Sequence, residues 1–460
     1  MRGAPLPAVL LLAALPFLAF LPGCQTNDPT PTPAADARGS ACGNGRVEAG
    51  EECDDGNSSN DDACLVSCAA PARFVAGDPH VHSRGCLVAP SSPSRLVQLL
   101  AADGIEVGAA LVWGDGFEPD SALFTGADDP ASNGGRILHY DLEVSAFAAG
   151  NTGHLVMLGL RDLGFSSDPF RSPKTGLSLP AWAKAQDPRV AVGMAHGQFW
   201  PASGFPSPPV ACCMPWELPV QVARGGVAFL ITERRVDGPV VDAGTFQLWR
   251  ALLNTGYKLA VLGGSDYPCI NREIAGAPRT DVIVEGPLTY DAWLAGVRAG
   301  RTVVTLDAAH RLNMRVNGQP LGSEVSARAG EVLLVSLESQ SPEPTGVELL
   351  VNGVPATSVV LPAGRQVATL RLGLAASSWL SARSLRAHTG ATYVAVDGRP
   401  IRASAADACY LLRYTDHLAD LVRGRRIDLG EDLPAALDAY AAAGAEFERR
   451  FREAGGTACR

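Results

Sequence analysis

The chain has 460 residues, of which 47% are apolar and 19% charged, and its formal net charge is −10. That much apolar material fills large cores and excludes a wholly disordered chain. No basic stripe interrupts the acidic balance, which excludes nucleic acid as the expected partner.

The N-terminus reads as an address. Arg2 supplies a minimal positive start, and Ala8 to Leu21 is an apolar run broken by Pro16 and too short to span a bilayer as a plain helix. Residues 1–23 are therefore expected to be a signal peptide. The closing Leu21-Pro22-Gly23-Cys24 resembles a bacterial lipobox, with Pro22 where a small residue is usual. The resemblance implies lipidation of Cys24, export to the cell envelope (the outer membrane in particular), and membrane contact through that lipid only. Residues 24–41, rich in Pro, Thr, Asp and Ala, are expected to form a tether. There are 11 cysteines; setting Cys24 aside leaves an even number, which suits pairing in an oxidising compartment.

Residues 42–68 hold Cys42, Cys53, Cys64 and Cys68 with almost no apolar side chains. So small a segment needs disulfides to fold, and its four cysteines allow three connectivities. The text CGNGRVEAGEECDDGNSSNDDACLVSC resembles the cysteine-rich repeat of myxobacterial surface proteins. Asp55, Asn57, Ser59 and Asp61 alternate like the start of a calcium loop, but Asn60 replaces the turn glycine and no Glu stands at Val66. A solvated loop is the expectation there.

The next segment carries metal-type chemistry. Phe74 to Ala76 are strand formers, followed by His80 and His82. Side chains two apart on a strand share a face, so both imidazoles reach one ion. Ile137 to Ser145 alternates like a strand and carries Glu143, and Gly153-His154 opens the run Leu155 to Leu160. Val190 to Met194 ends in Ala195-His196, and Lys258 to Leu262 ends in Gly263-Gly264-Ser265-Asp266. Ligand-type residues at strand ends are the habit of α/β barrels.

This order of HxH, Glu with GH, AH and SD resembles the PHP-type metal hydrolases, and most closely their CehA/McbA branch. EVSAF, NTGHLVMLGL, LLNTGYKLAVLGGSD and LAGVRAGRTVVT carry the resemblance, from about Phe74 to about Asp397. It implies an α/β fold: a distorted seven-stranded β/α barrel over residues 74–309, with a β-sandwich-like domain over 310–405. It further implies two divalent ions (Zn, Mn or Fe). His80, His82, Glu143 and Asp266 would hold one; His154 and His196 would hold the other with Glu143 as bridge. A third family site loses its ligands here, at Ser83 to Cys86, at Leu111 to Asp115 and at Pro268. Glu143 and Asp266 are the expected catalytic carboxylates, Asp266 as proton acceptor. The expected reaction is attack of water on an ester, carbamate or phosphoester; the alternative is a non-catalytic, metal-containing surface binding module.

Other residues have smaller roles. Tyr267, Arg272 and Arg279 are candidates for an anionic substrate group, with packing as the equal alternative. His139, His310 and His388 are expected to be structural. Gly263-Gly264-Ser265-Asp266-Tyr267 lacks the last glycine of a serine-hydrolase elbow. Cys86, Cys212, Cys213 and Cys269 are expected in disulfides. The Pro-rich stretch Gly197 to Pro219, with Phe199, Trp200 and Trp216, is expected to be a mobile lid over the site. Asn317-Gly318 and Asn352-Gly353 mark hairpins among strands expected at Glu331 to Leu337, Val347 to Val351, Gln366 to Leu372 and Ala391 to Val396. Residues 406–460 are expected to be helical, with a packing helix over Leu433 to Phe451.

Overall fold

The computed structural model describes residues 43, 56, 72–86, 90–114, 117–144, 153–164, 175–208, 213–233, 239–272 and 275–459. Cys24, the four cysteines of the small module, Asp115 and Cys212 lie outside them. The fold is mixed α/β. In chain order the first part runs β1 (Arg73–Val81), α1 (Pro93–Ala102), β2 (Val107–Val112), α2 (Phe117–Ser121), β3 (Ile137–Val144), β4 (Leu155–Leu158), α3 (Leu179–Gln186), β5 (Ala191–Met194), α4 (Leu218–Ala223), β6 (Phe229–Thr232), α5 (Ala243–Asn254), β7 (Ala260–Gly263), β8 (Arg279–Val284), α6 (Tyr290–Arg298) and β9 (Thr302–Thr305). Capping explains several helix starts. Ser92 accepts from Arg95 N ahead of Pro93, and Asp242 accepts from Gly244 N and Thr245 N.

The strands β1 to β7 lie side by side in chain order. Pairing is parallel except at β4, which runs antiparallel to both β3 and β5. Alternate residues serve two cores. Ala109, Leu111, Val156, Leu158, Phe229, Ile231 and Leu262 cluster with Trp293 and Leu294 of α6. Their neighbours Ala110, Val112, Leu142, Met157, Val192, Leu230 and Val261 join a larger core shared with helices. Gly77 fits this plan because a Cβ there would come within 2.5 Å of the Trp293 ring. Beyond β7 the chain returns to β1: Asp266 N donates to His80 O and His82 N donates to Tyr267 O, each at 2.7 Å.

The sheet continues on the other side of β1 through β8 and β9 into the C-terminal strands. These are β10 (Arg311–Val316), β11 (Glu324–Ala327), β12 (Val332–Ser341), β13 (Thr345–Val351), β14 (Val354–Leu361), β15 (Gly364–Gly373), β16 (Ser378–Arg383), β17 (Ala387–Thr389) and β18 (Thr392–Val396). Fifteen strands form one mixed sheet, and β10, β12 and β15 form a second. Apolar side chains from both sheets, among them Met314, Val335, Leu349, Leu380 and Val394, share a core. Strands expected for the barrel and strands expected for the sandwich thus belong to one hydrogen-bonded sheet. Both Asn-Gly turns have positive φ at both residues, 50° and 77° at Asn317-Gly318 and 53° and 78° at Asn352-Gly353, as the twist of a tight hairpin requires.

The chain ends in α7 (Ala405–Arg423) and α8 (Leu433–Glu453), which pack on each other and on the helical side of the first part. A disulfide joins Cys409 to Cys459, and a second joins Cys86 to Cys269. Among the described residues no helix is long and apolar enough to cross a membrane.

Candidate metal centre

Six sequence-selected residues meet at one rim of the sheet. His80 lies near the end of β1 and His82 just beyond it, while Glu143 is the penultimate residue of β3. His196 and Asp266 follow β5 and β7. His154 precedes β4; because β4 runs backwards, its amino end reaches the rim where its neighbours have their carboxyl ends. His196 and Asp266 both hold positive φ, 65° and 47°, a conformation rarely kept by residues with a Cβ and one concentrated at functional sites.

Glu143 stands in the middle, with its two oxygens turned to different histidine pairs. Oε2 is 3.3 Å from His80 Nε2 and 3.4 Å from His82 Nε2. Oε1 is 2.5 Å from His154 Nδ1 and 3.8 Å from His196 Nε2. Asp266 Oδ1 lies 3.1 Å from His82 Nε2 and 3.5 Å from His80 Nε2. Every one of these side chains is buried.

The outer nitrogens are tied down. His82 Nδ1 lies 3.0 Å from Leu111 O, so it donates there. His80 Nδ1 is 3.1 Å from Glu233 Oε1. Nε2 is thereby the nitrogen that each ring turns toward the carboxylates, and its loss of a proton would leave the tautomer a metal ligand needs. Glu233 is the residue the sequence reading missed. It follows β6 directly, is fully buried, and also accepts from His196 N at 3.1 and 3.0 Å. The signal was present, since Phe229 to Thr232 is an apolar run ending in an acid, the same pattern that marked Asp266. Asp78 was missed too. It lies two residues before His80 and binds His80 N, Ser265 N and Gly276 N at 3.1, 3.0 and 2.8 Å, fixing the loop that carries Asp266. Burial pushes its carboxyl up to about 6, against those donors.

The electrostatics ask for positive charge. Burial alone would strip the proton from His80, but the carboxylates of Asp266 and Glu143 hold it well above the ordinary imidazole range. Burial likewise opposes charge on His196, yet Glu233 drives it up to about 10. Burial would raise Glu143 and Glu233; the imidazoles of His80 and His154 hold the first well below the usual carboxylate range, and those of His196 and His80 hold the second at about 2. Burial keeps His154 below the ordinary range, against Glu143. Buried anions at this density need protonated imidazoles or cations beside them. These groups could therefore hold metal ions. Two nearby sulfurs do not add thiolates: Cys213 is disulfide-bonded, and Cys269 is joined to Cys86.

Other expectations change. Arg279 is not at this rim: it is buried, and its guanidinium donates to Asp103 O at 2.8 Å, before β2 begins. Arg272 is exposed, and Tyr267 contributes its backbone to His82 N. The stretch Gly197 to Pro219 is not a free flap where it is described. Trp200 and Trp216 are buried; Trp200 Nε1 donates to Tyr410 OH at 3.0 Å, Tyr414 OH to Trp216 O at 2.8 Å, and Arg426 to Pro208 O at 2.7 Å. Phe199 lies with its ring 5.8 Å from that of His196. Trp113, 4.9 Å from His82, forms a partly exposed wall. His139 stacks on Tyr290 at 4.0 Å and binds Asp128 at 3.0 Å, a structural role. His388 and His310 bind Thr389 O and Asp307 at 2.8 and 2.7 Å.

No protein-family model matches this chain and no curated protein is found similar to it. The functional reading accordingly stands on the chemistry of the rim.

Proposed function

We propose that the chain is an exported metal-dependent hydrolase of the PHP type, built on a distorted seven-stranded barrel and using two divalent ions. The observation that carries this is the division of Glu143, with one oxygen facing His80 and His82 and the other facing His154 and His196. His80, His82 and Asp266 would hold one ion, His154 and His196 the other, and Glu143 both. Such an ion pair, when bound, acidifies water and polarises the bond to be cleaved. The two core layers of β1 to β7 and the return of the chain to β1 support the barrel. Disulfides at Cys86–Cys269 and Cys409–Cys459, together with the bonded Cys213, favour export. The Cys86–Cys269 bridge runs beside two of the positions where the family's third site would lie, Ser83 to Cys86 and Pro268.

The residues divide the work. Glu233 and the Leu111 carbonyl orient His80 and His82, and Asp78 orients Asp266 through Ser265. Asp266, whose Oδ1 faces the same space as the Nε2 atoms, takes the proton from attacking water. Trp113 and Phe199 flank the rim and fit an apolar part of an ester, carbamate or phosphoester. Elemental analysis of the chain starting after Gln25, produced in an oxidising host, tests this reading. We expect close to two equivalents of metal, less in His80→Ala and His196→Ala, with hydrolysis lost in His154→Ala. Well under one equivalent, unchanged by either substitution and by added Mn²⁺ or Zn²⁺, would refute it.

A further inference from the structure

The three-stranded sheet presents a surface with no part in the metal centre. Its inward residues, such as Met314, Val335 and Leu372, enter the core. Strand register then dictates the outward face. Arg311, Gln340 and Arg365 fall in one row; Arg315, Ser336 and Thr369 in another; Leu334 and Arg371 in a third. Arg73 stands at one end, and with Arg311, Arg315 and Arg365 it lines a cleft of about 400 Å³. Five guanidiniums thus share one face of a chain that carries 38 basic against 48 acidic residues. Two carboxylates pair with them directly, Glu338 with Arg365 at 2.5 Å and Glu106 with Arg73 at 2.6 Å, and the buried Asp281 feels the charge of Arg311. The pattern is invisible in the linear text because β10 and β15 are far apart in sequence.

We propose that this face binds an extended anionic polysaccharide, a polymer of carboxylate- or sulfate-bearing sugars. Guanidinium forks match such oxyanions in paired hydrogen bonds. No aromatic ring stands on the outward positions of β10, β12 and β15, and the one ring lining the cleft, Phe74, is half-buried and packed against the core, which makes a poor stacking platform for nucleic-acid bases or for a neutral sugar. A lipid surface is the poorer fit, because the exposed apolar residues here, Val332, Leu334 and Val367, are single aliphatic side chains on a sheet rather than an insertable amphipathic helix. The net charge of −10 repels a polyanion at long range, so attraction has to come from a local cationic face such as this one.

The test uses the mature chain with polygalacturonate and dextran sulfate as probes. Neutral dextran, single-stranded DNA and phosphatidylglycerol vesicles serve for comparison. Binding to at least one anionic polymer at low salt is expected, with none to dextran and loss near 0.5 M NaCl, roughly where screening shortens to a few ångströms. The Arg315→Gln, Arg365→Gln, Arg371→Gln triple variant should bind about tenfold or more weakly, with unchanged melting temperature and metal content. These positions are exposed, so folding is not at stake. Failure to bind either polymer, equal binding by the triple variant, or tighter binding to vesicles or DNA than to the polymers would overturn the assignment. Loss of the metal centre would leave it untouched.

Discussion

Replacing Glu233 by Gln keeps the shape of the side chain and removes its charge. Glu233 accepts from His80 Nδ1 and His196 N and lies 3.4 Å from His196 Nδ1. Its carboxyl, ordinarily near 4.5, is held at about 2. That gap corresponds to roughly 3 kcal/mol favouring the charged form among its imidazole partners. Because the folded value is depressed, the stabilisation is complete above about 4.5 and is lost as pH falls through about 2. Near neutrality Glu233→Gln therefore forfeits it in full, and the new amide presents a donor where only acceptors fit. Carboxylates behind metal-bound histidines typically contribute 10- to 100-fold in affinity, the same scale as a large part of this energy. Competition of the metal-free protein against a chromogenic zinc chelator at pH 7.5 reads the effect directly. A loss of about tenfold or more is expected. A change below about threefold would refute the claim that Glu233 fixes the His80 and His196 rings.

Two further outcomes follow from other parts of the molecule. Cys86 and Cys269 close a loop with a sequence separation of 183; their joint replacement by Ser should lower unfolding free energy by roughly 2–5 kcal/mol in denaturant titration, and an unchanged midpoint would show that the loop ends are held by other contacts. His388 is buried beside Phe246 and Trp249, and burial pulls its imidazole down to about 4 from 6.5. The unfolded chain takes up this proton first, so stability falls as pH drops from about 6.5 to about 4, by about 3 kcal/mol in total. His388→Leu should flatten that window in a series of melting curves, and an identical slope in both proteins would refute the argument.

Strand positions were legible because alternation is a local signal. The expected strand from Ile137 is β3 as far as Val144, Gln366 to Leu372 lies inside β15, and both Asn-Gly turns adopted the expected backbone. Direction was not legible. Nothing in Leu155 to Leu158 marks it as running backwards, since the same alternate side chains would face the same cores in either direction. The candidate ligand residues could be found as acids and imidazoles at the ends of apolar runs, and Glu233 fits that rule although no motif drew attention to it. Asp78 could not be found this way, because its partners Ser265 and Gly276 are distant in sequence. For Arg279 the packing alternative holds: nearness to Asp266 in the chain says nothing about which end of a strand it occupies. The expected lid is tied down where it is described, because Trp200 and Trp216 found partners on α7, a helix some two hundred residues later.

The Cys86–Cys269 bridge also shapes how the molecule survives damage. It makes a covalent ring of the segment that carries Glu143, His154, His196 and Asp266, with His80 and His82 joined to it just upstream. A protease that cuts once inside that ring severs the backbone without producing two separable pieces. The nicked protein keeps all six candidate ligand residues on one covalent body, so an encounter that would dismantle an unbridged chain leaves these side chains tethered together.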